Sequence, residues 1–215
     1  MNDLYLHKHK TSLGLLGKLP FIKYCYFSGG TSHSNNTKEW DIDLFIVAKD
    51  QRVWLAYTML RILHRFFPGF KNFCLNYLVD ESSLSIEFQR DFYTAHQIVY
   101  LKPVNEVSTQ CNISGYNSWI SQYFPNKKIS EKKNVVGPFR KWNILTWTNL
   151  ALMSVWINYL HRKKYKNNSG GIMLDSHRIK LHSNDHRPEI YRRFSKAISA
   201  YNISESVPAE MGVME

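Results

Sequence analysis

Two aspartates separated by one residue, Asp41 and Asp43, begin the segment DIDLFIVA at 41–48, whose apolar and β-branched residues predict a β-strand. Because side chains alternate along a strand, we expect both aspartates and Phe45 on one face and the aliphatic residues between them in the core. Two carboxylates on residues whose Cα atoms are roughly 6–7 Å apart repel each other, and a bound cation would offset that repulsion. Their hard oxygen ligands suit Mg²⁺ or Mn²⁺ held together with the phosphates of a substrate.

The segment before this strand predicts a phosphate site. FIKYCYF at 21–27 has the composition of another strand, and Gly29 and Gly30 follow it. Glycines at a strand end allow backbone N–H groups to approach an anion closely, and Ser28 and Thr31 add hydroxyl donors. Ten residues separate the second glycine from the first aspartate. A phosphate cradle joined by one loop to a metal-binding pair predicts a site for a nucleoside triphosphate.

The connecting loop, TSHSNNTKE at 31–39, is entirely polar and holds two further candidates for nucleotide binding. His33 would contact a phosphate or the acceptor, or would simply be exposed to solvent. Asn35 would contact the nucleotide, or would order the loop through hydrogen bonds to nearby backbone.

The combination of a strand ending in two glycines, a polar loop and an Asp-apolar-Asp strand resembles the minimal signature of the DNA polymerase beta-like nucleotidyltransferase superfamily. A broader similarity to prokaryotic stand-alone nucleotidyltransferase-domain proteins covers most of residues 12–195. The segments that carry it are Asn35, DIDLFIV, Val53-Trp54-Leu55, LNYLV at 75–79, DFYTAHQI at 91–98, Lys102-Pro103, FPN at 124–126 and KLHSND at 180–185.

Members of this superfamily transfer a nucleotidyl group from a nucleoside triphosphate to a hydroxyl, so the resemblance implies that chemistry here. It assigns Gly29 and Gly30 to the triphosphate. It assigns Asp41 and Asp43 to metal ions that bridge the phosphates. It also implies a third acid on a neighbouring strand, which would complete the metal site and help to activate the acceptor.

The position of that third acid is ambiguous. The predicted strand NFCLNYLV carries Asn76 where an acid would be expected. Glu87, in the short predicted strand LSIEF, is the nearest acid on another strand, and we take it as the third catalytic candidate. Asp80 is expected in a turn, and Asp91 is expected to cap a helix. Glu87 as the ligand, Asn76 as a neutral replacement, and neither residue are the three alternatives.

Composition narrows the partners and the compartment. The 215 residues carry 28 Lys and Arg against 17 Asp and Glu, and residues 101–215 hold 17 basic against 8 acidic side chains. This excess predicts either a solvated basic surface or a polyanionic partner. Hydrophobic residues at 44% and charged residues at 21% exclude a disordered or fibrous chain. Three scattered cysteines and an N-terminus without an apolar leader predict a cytoplasmic protein.

We predict an α/β (α+β) fold in which a small mixed sheet of the nucleotidyltransferase type is backed by helices and followed by a helical C-terminal domain. The α/β core would occupy residues 1–90, the helical domain 91–201 and a mobile tail 202–215. Strands are predicted at 21–27, 41–48, 72–79 and 84–88. Helices are predicted at 12–18, 51–67 with Asp50 as its cap, 91–101, 113–123, 139–166 and 187–201.

The segment ILTWTNLALMSVWINYL at 144–160 is 17 residues long, near the minimum for a membrane span. Its two Asn, two Thr and one Ser favour a buried core helix, with an interfacial helix as the alternative. The cations Arg162, Lys163 and Lys164 that follow would favour the helix dipole or contact a nucleic acid. We therefore expect no membrane partner.

The sequence thus predicts a nucleotidyltransferase that uses Mg²⁺ (or Mn²⁺) and a nucleoside triphosphate and releases pyrophosphate. The acceptor would be a small hydroxylated metabolite or an RNA end. The alternative from another class is a degenerate nucleotidyltransferase fold that binds nucleotide or RNA without catalysis, because a clear third acid is missing.

Overall fold

One mixed β-sheet connects distant parts of the chain. The computed structural model describes residues 9–29, 41–87, 89–127, 129, 143–163, 172–181, 191–192 and 195–196. Its strands are β1 (Ile22–Phe27), β2 (Ile42–Ala48), β3 (Phe73–Asp80), β4 (Lys102–Pro103), β5 (Met173–Leu174) and β6 (Arg178–Lys180). Their order is β4-β1-β2-β3-β6-β5, with β2 and β3 parallel and the other neighbours antiparallel. The mixed α/β class predicted from the sequence is confirmed.

Helices pack on both faces of this sheet. They are α1 (Lys10–Leu16), α2 (Val53–Phe66), α3 (Phe92–Val99), α4 (Glu106–Thr109) and α5 (Ile144–Lys163). Short 3₁₀ turns cover Pro68–Phe70, Ile113–Tyr116 and Ser118–Gln122. Of the predicted last helix, only residues 191–192 and 195–196 are described, and they are helical. No helix in the described part of the chain is long and apolar enough to cross a membrane.

Apolar clusters cover both faces of the sheet, so the central strand β2 is buried on each side. Ile42, Leu44 and Ile46 pack into one cluster with residues of α1, α2 and α5. Phe45 and Val47 pack into the other with residues of α3 and the last two 3₁₀ turns. The predicted alternation along this strand is confirmed, and Phe45 is buried because the second cluster covers its face.

The parallel pairing of β2 with β3 requires the chain to cross back over the sheet, and α2 is part of that connection. α2 therefore runs antiparallel to β2, and its C-terminal residues lie at the end of the sheet where β2 begins. At this end, the Ile42 N–H of β2 donates to the carbonyl oxygen of Asn72, the residue before β3, at 2.6 Å. The start of β2, with Asp41 and Asp43, thus lies at the same end of the sheet as the last turn of α2.

The N-terminus of α2 is capped by a side chain from another helix. Arg52 holds the N-cap position without a side-chain cap, so the predicted cap by Asp50 is wrong. The Asn149 Oδ1 of α5 instead accepts from the N–H groups of Trp54 and Leu55, at 2.9 and 3.1 Å. Asn149 is buried, and it satisfies two helix donors that have no partner within α2. This contact fixes the start of α2 against α5.

We predict that Asn149→Ala lowers the free energy of unfolding by about 1–3 kcal/mol, because two buried donors lose their acceptor. Urea denaturation followed by circular dichroism measures the loss. Asn149→Asp should retain most of the stability, since a carboxylate keeps the acceptor at the positive end of the helix. Asn158→Ala, at an exposed position of the same helix, is the control. Equal losses in the two alanine variants would contradict the capping role.

The carboxylate of Asp80 is fully buried and connects three segments. Asp80 is the last residue of β3 rather than part of the turn that follows. Its oxygens accept from the Gln51 N–H and from the N–H and hydroxyl of Ser82, the latter two at 2.8 Å. Gln51 has a φ of +56°, a conformation that is uncommon outside glycine. The bond to Asp80 therefore fixes a strained residue in the loop between β2 and α2.

The ring of His177, between β5 and β6, lies against the same carboxylate, with Nδ1 3.7 Å from the Asp80 Oδ2. The interaction with Asp80 raises the pKa of His177 above its ordinary value of 6.5, although partial burial opposes the rise. A pKa that is raised in the folded state stabilises the fold while the ring is protonated. This contribution is complete below about pH 6.5 and is lost as the pH rises through the folded-state pKa.

We predict that the stability of the wild type relative to His177→Gln declines as the pH is raised from about 6 to about 8. Urea denaturation of both proteins at a series of pH values measures this difference. A difference that stays constant over the series would show that the ring does not gain a proton on folding.

The predicted strand at 84–88 and the predicted helix at 113–123 differ in the structure because the buried side chain of Asn117 forms hydrogen bonds with nearby backbone groups. Asn117 Oδ1 accepts from the Ile86 N–H at 2.7 Å, and Nδ2 donates to the Leu84 carbonyl at 3.0 Å. Residues 84–87 therefore pack as an irregular segment, and the predicted strand at 84–88 is wrong. The predicted helix at 113–123 is wrong as well, since two 3₁₀ turns meet at Asn117.

The part of the chain predicted to be helical also contributes strands. β4, β5 and β6 all follow residue 100 and join both edges of the sheet. The backbone pairing of β6 with β3 could not be read from sequence, because strands of two or three residues have no clear periodicity.

The described part of the helix predicted at 139–166 is observed as α5, and only one of its sides packs against the core. Leu152, Met153 and Trp156 pack against the first cluster. Ile144 and Val155 on its other side are exposed. The apolar composition of α5 is therefore explained only in part by burial.

Candidate functional site

The ends of β1 and β2 bring Ser28, Gly29 and Asp43 together. Phe27 pairs with Leu44 in this antiparallel ladder, which places Ser28 opposite Asp43. The Ser28 N–H donates to the Asp43 carbonyl oxygen at 2.9 Å. Residues directly opposite each other share a face of the sheet, so the Ser28 hydroxyl and the Asp43 carboxylate lie on one face.

Glycine is required at position 29 by backbone conformation and by space. The φ of Gly29 is +54°, in the left-handed region that favours glycine. A Cβ added to Gly29 would lie 2.6 Å from Oδ2 of Asp43 and 3.2 Å from its Cγ. The backbone thus passes directly against the carboxylate, and any side chain at this position would displace it.

Ser28 and Gly29 present two donors beside that carboxylate. The Ser28 side chain is buried, with 6% exposed, and its Oγ has no hydrogen-bond partner among the residues that the structure describes. A buried hydroxyl without a partner is destabilising, and an acceptor oxygen of a ligand would remove that cost. The Gly29 N–H donates to Oε1 of Gln97 in α3 at 3.0 Å.

Asp43 and Asp41 lie where the apolar cover of the sheet ends. Asp43 is half-buried, and Asp41 is exposed one residue before β2 begins. Beyond Asp43 the same face continues into Phe45, whose ring stacks on Tyr77 with centroids 5.1 Å apart and 9° between the planes. Burial raises the pKa of Tyr77 to about 12, and its phenol is neutral at physiological pH with or without this shift. Apolar surroundings strengthen the attraction of the Asp43 carboxylate for a cation.

The donor set fits a hard divalent cation. Two carboxylates separated by one strand residue supply oxygen ligands, and a phosphate held at Ser28 and Gly29 would supply others. Mg²⁺ in proteins is commonly bound by one or two carboxylates together with phosphates and water, so the chemistry of these residues is compatible with Mg²⁺ or Mn²⁺.

A third acidic ligand is not observed in the part of the chain that the structure describes, where no group of three His, Cys, Asp or Glu side chains could hold a metal ion. The strand register places Cys74 beside Asp43, and a register shift leaves Asn76 opposite no residue of β2. Asn76 is therefore not the β3 neighbour of Asp43. Glu87 is exposed and lies in the irregular segment 84–87, so its role as the third catalytic acid stays a prediction.

Four of the predicted nucleotide-binding residues, Gly30, Thr31, His33 and Asn35, lie outside the described residues. The described members of that set, Ser28 and Gly29, are both placed next to Asp43.

Gln97 is a neighbour of the site that the sequence did not reveal. It is 68 residues from Gly29 along the chain, and α3 carries it to the end of β1. No spacing distinguishes it, because a half-buried glutamine on a short amphipathic helix is common.

Comparison of the chain with protein-family models, with curated proteins and with solved structures finds no match. The functional argument therefore depends on the geometry at Ser28, Gly29 and Asp43 and on the sequence pattern around them.

We predict that Gly29→Ala lowers the free energy of unfolding by about 1–3 kcal/mol, because the positive φ is strained by a side chain and the new methyl group contacts Asp43. The same substitution in an Asp43→Ala background should cost less, with a coupling of at least about 0.5 kcal/mol. A urea-denaturation double-mutant cycle measures this coupling.

Gly14→Ala in α1 is the control for this cycle, because a Cβ at Gly14 meets no atom within 4 Å. It should be neutral or stabilising, as alanine favours a helix interior over glycine. Strict additivity of the Gly29 and Asp43 substitutions would contradict their direct contact.

Proposed function

We propose that this protein is a metal-dependent nucleotidyltransferase that moves a nucleoside monophosphate from a nucleoside triphosphate to an acceptor hydroxyl and releases pyrophosphate. The observation that carries the proposal is the contact of Gly29 with the Asp43 carboxylate beside the unpartnered Ser28 hydroxyl. Two hydrogen-bond donors and a carboxylate are thereby adjacent at one end of the sheet, which supports the proposal. The resemblance of the surrounding sequence to the DNA polymerase beta-like superfamily supports the same chemistry.

Ser28 and Gly29 would bind the triphosphate. The Ser28 hydroxyl would donate to a phosphate oxygen and so gain the partner that it lacks. The Gly29 N–H would donate to a second phosphate oxygen once the Gln97 carbonyl oxygen has moved away from it. The absence of a Cβ at Gly29 is what leaves room for the phosphate to come this close.

Asp41 and Asp43 would hold Mg²⁺ or Mn²⁺, which would neutralise part of the charge of the triphosphate. The contact with Gly29 and the strand pairing fix the position of Asp43. The acceptor oxygen would attack the α-phosphorus in line with the departing pyrophosphate, and its proton would pass to water or to Glu87. Positioning and charge neutralisation would supply most of the rate.

The acceptor in this proposal is a small hydroxylated metabolite or an RNA end, in the cytoplasm. The free state of Cys25, Cys74 and Cys111 agrees with a reducing compartment.

A binding module without catalysis is the second candidate, and the lack of a third acid beside Asp41 and Asp43 among the described residues favours it. A cation held by two carboxylates would depend more on phosphate oxygens and water. Nucleotide would then bind while transfer stayed slow or absent.

We predict that Asp41→Asn and Asp43→Asn each reduce nucleotidyl transfer at least about 100-fold, because each removes a charged metal ligand. The fold should be unaffected or slightly more stable, since like charges on one strand face are relieved. The assay follows label from each α-labelled triphosphate into cell-extract fractions with Mg²⁺ or Mn²⁺. Glu106→Gln, an exposed acid on α4, is the control and should keep full activity.

Glu87→Gln separates the enzyme from the binding module. If Glu87 activates the acceptor, this variant should lose turnover strongly while its affinity for triphosphate changes little. Wild-type turnover in Glu87→Gln would mean that two carboxylates suffice. Tight triphosphate binding by the wild type, with no transfer to any fraction, would favour the module.

A further inference from the structure

The outer side of α2 carries an apolar stripe. Leu55, Met59, Ile62 and Phe66 recur at helical spacing, and none of the four is fully buried. Exposure increases toward the C-terminal end, where Ile62 is 51% and Phe66 is 70% exposed. Phe67, directly after the helix, is exposed as well. Ile62 and Phe66 lie on the side of α2 opposite its buried positions, whereas Met59 packs partly against the first apolar cluster.

The outer side of α5 carries a second stripe. Ile144 and Val155 are eleven residues apart, three helical turns, and are 79% and 63% exposed. Ala151 lies between them on the same side and is also exposed. Eight of the eleven large apolar residues that are exposed in the described chain belong to α2, Phe67 or α5. Exposed apolar surface is thus concentrated on one layer of the molecule rather than scattered.

The two helices that carry the stripes pack against each other and run in parallel. Asn149 of α5 accepts from the Trp54 N–H at the start of α2. Further toward the C-terminus of both helices, the Trp156 Nε1 of α5 donates to the Thr58 hydroxyl of α2 at 2.8 Å. Both helices therefore end at the same side of the molecule. We call the exposed surface formed by Ile62, Phe66, Phe67, Ile144 and Val155 the α2–α5 face.

Exposed cations accompany this face, and the two helices that form it contain no acidic residue. Arg61, Arg65 and Arg162 are exposed near the C-terminal ends of the two helices. Neither α2 nor α5 contains an aspartate or a glutamate. The Arg65 guanidinium lies 5.8 Å from the centre of the Phe66 ring. A partner that matched this face would therefore be anionic and would accept aliphatic and aromatic side chains.

Only some partners meet both requirements. A nucleic acid would pair with the arginines, but it would leave Ile62, Ile144 and Val155 without apolar contacts. A second copy would cover the apolar residues, but a symmetric contact would bring arginines together with no acid on either helix to pair them. An anionic bilayer accepts apolar side chains at the acyl boundary and attracts cations at the headgroups.

We propose that the α2–α5 face docks the protein on the surface of an anionic lipid bilayer. Ile62, Phe66, Phe67 and Val155 would insert at the headgroup–acyl boundary, and the arginines would contact lipid phosphates. The helices would lie along the surface and would not span it. This inference does not depend on nucleotidyl transfer. It departs from the expectation of no membrane partner and follows the interfacial helix that the sequence left as the alternative for 144–160.

The test is flotation of the full chain with vesicles of phosphatidylcholine alone and of equal parts phosphatidylcholine and phosphatidylglycerol. We expect binding to the anionic vesicles, weakening with added salt, and little binding to the neutral ones. Arg61→Ala and Arg65→Ala should each weaken binding about fivefold. Phe66→Ser with Val155→Ser should weaken it at least about tenfold.

Matched controls lie elsewhere on the surface. Val107→Ser removes an exposed apolar side chain of α4, and Arg90→Ala removes an exposed cation after β3. Both should bind anionic vesicles like the wild type, and circular dichroism verifies the fold of every variant.

Tryptophan fluorescence of the wild-type protein tests the proposal even if a variant fails to fold. Trp147, exposed on α5, should be quenched by lipids brominated on their acyl chains, and the quenching should diminish in Trp147→Phe. Absence of binding to anionic vesicles would overturn the proposal. Equal weakening of binding by the face variants and by their controls would also overturn it. So would tighter binding to single-stranded RNA that is lost in Arg61→Ala, and so would a concentration-dependent dimer that is lost in Phe66→Ser.

Discussion

The parallel pairing of β2 with β3 is the constraint from which much of this arrangement follows. Two parallel neighbours cannot be joined by a hairpin, so a helix must cross the sheet between them. The N-terminus of that helix is then buried, with donors that its own sequence does not satisfy. Asn149 satisfies two of them from α5, and Asp80 fixes the strained Gln51 in the loop before the helix. Side chains from distant segments are thus held at this crossover because they accept hydrogen bonds from backbone N–H groups that have no acceptor within the helix.

The same crossover decides where polar chemistry can occur. β2 is buried on both faces over most of its length, and a carboxylate in its middle would be desolvated without compensation. Asp41 and Asp43 lie at its first residues, where the cover ends and one face is still partly open. The turn of β1 at Gly29 brings a backbone donor and the Ser28 hydroxyl to this position. A half-open strand end combines low dielectric with access, which favours the binding of ions.

The orientation of α2 also relates the candidate site to the α2–α5 face. Because α2 runs antiparallel to β2, its exposed C-terminal turn lies at the end of the sheet where the aspartates are found. Docking through Phe66 and Phe67 would therefore place that end of the sheet, with the candidate site, near the lipid headgroups. The two proposals remain independent, since one concerns the oxygens of a strand end and the other concerns the outer surface of a helix layer.

The sequence by itself determined the elements that local patterns specify. Period-two alternation in DIDLFIVA predicted which residues of β2 are buried, and Asp91 caps α3 as its position before an apolar helix indicated. The pairing of glycines with Asp-x-Asp pointed to the strand ends that the structure joins. Tertiary structure alone decided the rest. The hydrogen bonds of Asn117 replace a predicted helix and a predicted strand by 3₁₀ turns and an irregular segment. Gln97 accepts from Gly29, which is 68 residues away along the chain. Several apolar side chains of α5 are exposed rather than buried. Each of these depends on which buried backbone group or apolar side chain finds a partner from another segment, and local periodicity contains no information about that choice.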